Sequence, residues 1–347
     1  MSAEGLRQLY ERHAFNPGLT RDWLTVTHVP FDDLLGSETV ESRVRSVALG
    51  SALLSVIGGS GTGKTSLVNH ALNTDGVAPI WLQVTQETPP PVGDPLGFGQ
   101  LLLATIVDDA RRLLTQSEVD HSQAVVGERY QRQGTRTSRR GGVGLTPAWL
   151  TLDMARELTT AAPDISRPVA ARDVTRQIDE LLDLVQSRGL MPVVVLDDTD
   201  RILQVVGGDP TGELLDRFVR RVLPWLAERN CGRILSVHPS YLSNLAWRAA
   251  RLDGRVGEEV TVPLLTEAEH IATILSRRME VFEVPGELTE IVEAEAVARL
   301  FELYAGHAGG TLRQCLTLAQ YAVVLARDAG ATSVGRVHVE GAAAELA

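Results

Sequence analysis

Apolar and polar positions alternate between two periods along this chain, and the change of period marks its elements. Four short apolar runs have strand length: Ala52–Ile57, Ala78–Val84, Val193–Leu196 and Arg233–His238, with a fifth at Glu259–Val262. Between them lie helical stripes. Phe98, Leu101, Leu102 and Ile106 share one face of a helix over 98–114, and Val174, Ile178, Leu181, Leu182 and Val185 share one over 171–187 that Gly189 closes. Asp209-Pro210 opens a further helix to about residue 228. Ahead of the first strand, Leu6, Leu9, Tyr10 and His13 fit a helix that Asn16-Pro17-Gly18 ends, a docking element with His13 on its surface. Ser37 is the expected cap of a helix to Leu49. After residue 264 the period is helical throughout. Thr266 is the expected cap of a helix to about 280, a second covers 292–305, and a third follows Gly309-Gly310 with Leu312, Cys315, Leu316, Ala319, Ala322 and Val323 as its stripe. A last one runs over 337–346. Strands alternating with helices predict an α/β domain with a parallel sheet, followed by an all-helical one.

The first strand runs into Gly58-Gly59-Ser60-Gly61-Thr62-Gly63-Lys64-Thr65 and then Ser66, where a helix starts. Strand, glycine-rich turn and helix start form a phosphate loop: backbone N–H groups turn inward and the helix adds its positive end. Lys64 is placed to reach the β- and γ-phosphates of a nucleotide, and the Thr65 hydroxyl to hold Mg²⁺. Composition sharpens this. Of 33 lysines and arginines, Lys64 is the single lysine, at the one place where a planar guanidinium is too bulky.

The third strand ends in Asp197-Asp198-Thr199-Asp200. Carboxylates crowded at the carboxyl end of a buried strand call for a cation, with Asp197 as the Mg²⁺ contact and Asp198 as general base toward water. At the tip of the fourth strand His238, or Ser236 two positions earlier, is placed to sense the γ-phosphate; His238 before Pro239 equally suits a turn cap. Arg313 lies in a helix's first turn, where a cation opposes the dipole, which suggests an anion partner. Phe31, Leu34 and Leu35 either contact adenine or pack as ordinary core, the second being the plainer reading.

Charge and cysteines bound the rest. The net charge of −11 disfavours nucleic-acid binding by overall attraction. Residues 115–167 fit no period and carry Arg129, Arg132, Arg136, Arg139 and Arg140, flanked by Tyr130 and Trp149. They form either a solvated loop, which the sequence favours, or an arm gripping nucleic acid. Cys231 and Cys315 read as reduced core thiols. No targeting segment or membrane-length apolar run is visible, so a cytoplasmic protein is expected. A GTPase of the usual kind needs Asn-Lys-x-Asp, and no second lysine exists. A P-loop kinase suits the aspartate-tipped strand less well than activation of water does.

Together the phosphate loop, the Asp197-Asp198 strand end, the polar strand tip, the arginines before the fifth strand and Gly309-Gly310-Thr311-Leu312-Arg313 resemble the AAA+ ATPases. The replication-initiator and origin-recognition branch, with its related signal-transduction ATPases, is the most similar. The resemblance spans 31–347 and implies a three-layer P-loop domain (31–263) whose five-stranded parallel sheet has the order 5-1-4-3-2. It also implies an α-helical lid (264–347), behind an N-terminal extension (1–30). It implies Walker A at Lys64 and Thr65 and Walker B at Asp197 and Asp198. Sensor 1 falls at His238 or Ser236, sensor 2 at Arg313, and an arginine finger at Arg255, or else Arg251, that completes a neighbour's site. ATP, Mg²⁺ and a homo-oligomer follow, with an unidentified partner protein. Asp198 replaces the usual Glu, no winged-helix domain follows the lid, and the insertion has no counterpart.

Overall fold

The computed structural model describes residues 2–36, 40–50, 52–82, 93–113, 171–197, 199, 213–306 and 311–346, with the backbone alone at 2, 107–113, 171 and 172. The strands are β1 (Leu53–Ile57), β2 (Val77–Leu82), β3 (Met191–Leu196), β4 (Gly232–Val237) and β5 (Glu258–Thr261). They form one five-stranded parallel sheet in the order β2-β3-β4-β1-β5, with helices on both sides. Read from the other edge this is the expected 5-1-4-3-2.

Each strand's composition suits its place. β1 is buried at every position, and β3 at all but Met191. A parallel strand covered on both faces needs such an unbroken apolar run. Pro79 sits in β2, an edge strand, where a missing N–H is tolerated. Pro192 lies in the interior β3, yet β3 begins pairing with β4 only at Val193, opposite Gly232. At the other edge β5 is four residues long and carries Glu258 and Glu259, charges that guard an open edge.

The described chain divides into two compact units. One comprises Met1–Ser46, Val56–Thr74 and Glu259–Ala347. It holds α1 (Ser2–Arg12), α2 (Arg21–Thr27), α3 (Phe31–Leu35), most of α4 (Val40–Leu49) and α5 (Lys64–Leu72). The C-terminal helices follow, from α11 (Ala268–Val281) through α12 (Leu288–Ile291), α13 (Ala294–Gly306) and α14 (Leu312–Asp328) to α15 (Arg336–Leu346). The other unit comprises Val47–Ser55 and Asp75–Glu258. It holds α6 (Pro95–Leu113), α7 (Ala171–Ser187), α8 (Glu213–Arg217), a π-helical turn (Phe218–Val222), α9 (Leu223–Ala227) and α10 (Leu245–Leu252).

One local expectation changes. Glu267, not Thr266, is the N-cap of α11, and the Thr266 N–H donates to His270 Nδ1 instead. Ser37 lies outside the described residues, while Val40 N–H at the start of α4 donates to Asp32 Oδ1 at 2.8 Å. α2 has no counterpart in the sequence reading. Its seven residues include three β-branched ones in a row and its N-cap Thr20 makes no side-chain bond, so tertiary contacts hold it. α1 packs on α12 and α14 of its own unit, with Leu6 and Leu9 buried and His13 exposed. No helix among the described residues is long and apolar enough to cross a membrane.

Candidate nucleotide-binding site

β1 delivers the chain into Gly58–Gly63, and α5 starts at Lys64. Gly61 and Gly63 stand at φ +77° and +105°, the left-handed region that a side chain resists. A Cβ at Gly58 would lie 2.5 Å from Thr62 Oγ1, so the loop closes on itself only with glycine there. Lys64 is buried, and its Nζ donates to the carbonyls of Gly58 and Gly59, each at 2.8 Å. Its ammonium is therefore folded back into the loop. Thr62 Oγ1 donates to Gly59 O at 3.0 Å, while Ser60 is exposed and Thr65 and Ser66 are half-buried in the first turn of α5. That turn holds no acid, which leaves its positive end to an anion.

The start of α14 reaches the same loop within this unit. Thr311 caps α14 by accepting Gln314 N–H, and the next residue but one, Arg313, donates its N–H to Gly61 O at 3.0 Å. A Cβ on Gly61 would come 2.7 Å from Arg313 Cβ, so Gly61 also makes this approach possible. The Arg313 side chain is exposed and starts directly over the loop. Phe31 is buried with Cζ 3.9 Å from where a Gly63 Cβ would stand; Leu34 and Leu35 are half-buried.

One cluster escaped the sequence reading. His28 Nδ1 lies 2.9 Å from Ser66 Oγ and its Nε2 lies 3.0 Å from Glu41 Oε1. With Nε2–H donating to the carboxylate, Nδ1 accepts the Ser66 hydroxyl. Glu41 also accepts the N–H groups of Phe31 at 2.7 Å and Asp32 at 3.3 Å. Burial pushes the Glu41 carboxyl up, but the bonds from His28 and the backbone outweigh it and hold the group at about 2. Beside it, burial and then the charge of His28 lower His70. Asn69 Nδ2 donates to Arg21 O at 2.7 Å, fastening α2 to α5. Arg277 Nε donates to Val26 O at 3.0 Å, and Trp23 stacks on Phe282 at 4.9 Å, fastening α2 to the α11 end as well. In the sequence His28 stands twelve residues before the start of α4, a spacing that names no partner.

In the other unit, β3 ends at Leu196 and the next residue, Asp197, is half-buried. Asp198 lies outside the described residues, as does the arginine run of 115–167. The hydroxyl of Thr199 donates to Ser236 O, and Tyr241 OH donates to Thr199 O at 3.0 Å, tying the chain after β3 to the end of β4. Ser236 is wholly buried. His238 is half-buried and caps the turn Pro239–Ser243: its Nδ1 accepts Ser240 N–H at 3.2 Å and pairs with Ser240 Oγ at 2.8 Å. Arg251 and Arg255 are exposed, and Arg255 pairs with Asp253 at 3.3 Å. Cys231 and Cys315 are buried thiols that burial pushes up to about 11 and about 12, respectively.

The solved structures that resemble this one include two from Aeropyrum pernix. The ORC1 protein of Aeropyrum pernix, solved in complex with DNA, matches with a TM-score of 0.52 at 20% identity, over 96% of this chain and 69% of its own. The ORC2 protein of Aeropyrum pernix, solved as ADPNP–ADP complexes, matches with a TM-score of 0.53 at 16% identity, over 96% and 71%. No protein-family model and no curated protein matches the chain. The chain shares the fold of these two ORC proteins.

Within that fold, the sequence-read residues are divided between the two units. Gly58 to Ser66 form one loop and helix start, with Arg313 bonded onto it in the same unit. Asp197, Ser236, His238, Arg251 and Arg255 belong to the second unit, at strand ends, in the last turn of α10 and on the turn after it.

Proposed function

We propose that this chain binds ATP with Mg²⁺ at Gly58–Ser66 and hydrolyses it to ADP and phosphate, coupling nucleotide state to oligomer assembly or partner remodelling. The observation that carries the reading is the loop: two left-handed glycines, a third with little room for a Cβ, and a buried ammonium folded onto the carbonyls of Gly58 and Gly59. Carbonyl oxygens are weak partners for a buried cation, and a triphosphate is a stronger one.

The donor set also fits Mg²⁺, a hard cation that takes hydroxyl and carboxylate oxygen. In this reading Thr65 offers its hydroxyl and Asp197 its carboxylate, and the ion neutralises charge on the phosphates when bound. Lys64 leaves the Gly58 and Gly59 carbonyls for the β- and γ-phosphates. Asp198 takes the proton of the attacking water. His238, or Ser236 in its place, responds to the γ-phosphate, and the cap bond at Nδ1 leaves His238 Nε2 for that purpose. Arg313 adds a cation from the lid, and Arg255, or Arg251, supplies one to a neighbouring copy. Phe31 is the favoured base contact.

A second reading is a nucleotide-gated switch that hydrolyses slowly. Its support is Asp198, one methylene shorter than glutamate and so farther from water. Phosphate release by wild type and by Asp198→Asn separates the two. The enzyme reading expects equal ATP binding with release lost in the variant. Equal release by both proteins favours the switch. Stimulation of release by DNA, removed by charge reversal at Arg136, Arg139 and Arg140, would add nucleic acid as a partner.

A further inference from the structure

We propose that Glu41 and His28 are positioning residues for the nucleotide: they fix where Phe31 stands against the phosphate loop, and so give the site its preference for a nucleoside triphosphate over a bare polyphosphate. The inference rests on the ATP reading above. The contacts that carry it close a circuit within one unit. α3 is five residues long and its N-cap Pro30 makes no side-chain bond, so it does not hold its own first turn. Glu41, on α4, does so from outside, accepting the N–H groups of Phe31 at 2.7 Å and Asp32 at 3.3 Å. Asp32 in turn accepts Val40 N–H at 2.8 Å, so α3 and α4 hold each other. Phe31, fixed in this way, brings Cζ to 3.9 Å from where a Gly63 Cβ would stand, at the cap of α5. The return path runs through His28. Its Nε2 lies 3.0 Å from the same Glu41 oxygen that accepts Phe31, and its Nδ1 lies 2.9 Å from Ser66 Oγ. The rings of His28 and Phe31 meet edge-on at 5.9 Å. One carboxylate oxygen thereby joins the base side of the site to its phosphate side.

The side chains of His28 and Glu41 are 5% and 6% exposed, so they act on a ligand through Phe31 and Ser66 rather than by touching it. A buried charge costs more than an apolar side chain of similar volume, and it is tolerated only with its donors in place. A carboxylate that gathers an imidazole and two backbone donors therefore holds all of them to one geometry. The phosphate chain needs none of this, since the loop, Lys64 and Thr65 serve it. A base has to be met at a set distance from the phosphates, and a ring already ordered at that distance lowers the cost of binding.

Equilibrium titration of full-length protein with Mg-ATP and, separately, with magnesium tripolyphosphate tests it, since the second ligand has phosphates and no nucleoside. Glu41→Ala is expected to weaken ATP binding about tenfold, the order of one side chain left to be ordered on binding, and to leave tripolyphosphate within about twofold. Glu41→Gln keeps an oxygen for Phe31 and His28 and should recover most of the loss, which a role of charge alone would not allow. Glu41→Ala added to Phe31→Ala should cost nothing further, because the carboxylate acts through that ring. His28→Ala, expected to weaken ATP binding about threefold on the same pattern, carries the test if Glu41→Ala does not fold. ATP bound equally by wild type and variants, both ligands weakened alike, Glu41→Gln no better than Glu41→Ala, or additive losses with Phe31→Ala each overturn the proposal. Wild type that binds tripolyphosphate as tightly as ATP also overturns it and leaves the phosphate loop standing. Wild type that binds neither ligand overturns the nucleotide reading itself, and this inference with it.

Discussion

Two arginines that the AAA+ resemblance singles out sit in opposite surroundings. Arg313 is fixed by its own backbone, with its N–H on Gly61 O and its Cβ pressed against the loop's one open glycine face. Arg255 follows α10 on an exposed turn, paired with Asp253 at 3.3 Å and close in sequence to the exposed Leu252. The physical lesson concerns reach. A side chain that serves its own loop can be positioned by main-chain hydrogen bonds, which cost no further ordering. A side chain that serves another molecule stands in solvent and loses its freedom only on assembly.

The sharpest way to break that contrast is mixing. Arg255→Ala is expected to lower hydrolysis by about 10³-fold with ATP binding intact, as for arginines supplied from a neighbour. Adding Lys64→Ala protein, inactive itself but carrying an intact Arg255, should restore part of the rate in a coupled phosphate assay. Arg313→Ala is expected to cost about 10–100-fold, the value of one charge-assisted contact, and no mixing with Lys64→Ala should restore it. Rescue of Arg313→Ala, or none for Arg255→Ala, would reverse the assignments. A smaller effect is expected at the loop. Gly61→Ala meets both a left-handed backbone and Arg313 Cβ at 2.7 Å, so thermal unfolding should show a loss of about 1–3 kcal/mol. An unchanged midpoint would mean that α14 does not sit on the loop.

The smallest effect at neutral pH belongs to the N-terminal clasp. His28→Ala leaves Ser66 and Glu41 each without one partner, for about 1 kcal/mol by denaturant titration. Acid separates it further. The folded Glu41 carboxyl is held at about 2, below its ordinary 4.5, so its contribution is complete above about 4.5 and lost as pH falls from there toward 2. Without His28 the folded value rises, and the bonds that remain contribute less over that window. Wild type and variant with the same stability profile below pH 5 would argue against the cluster.

How much of this was legible in the chain follows from the range of each signal. The strands were readable because burial on both faces forces apolar runs, and Val193–Leu196 needed no tertiary knowledge. The phosphate loop was readable because glycine and a lone lysine serve its local geometry. α2 was not, since Trp23, Thr25 and Val26 have no helical stripe and are held through Asn69, Arg277 and Phe282. The His28–Glu41–Ser66 cluster joins positions 13 and 38 residues apart, a relation no spacing rule carries. Thr266 failed as a cap because His270 draws its N–H into a local bond one turn too early. Arg313 was found only by its misfit with the helix dipole; its bond to Gly61 depends on packing.

The central claim is that Lys64 and its loop hold the phosphates of a magnesium nucleotide. Equilibrium titration of Mg-ATP into wild type and Lys64→Ala tests it most directly. The account predicts saturable one-site binding to wild type, weakened at least about 100-fold in the variant through loss of a buried charge-assisted contact. Binding of equal strength to both proteins, or none to the wild type, would contradict it.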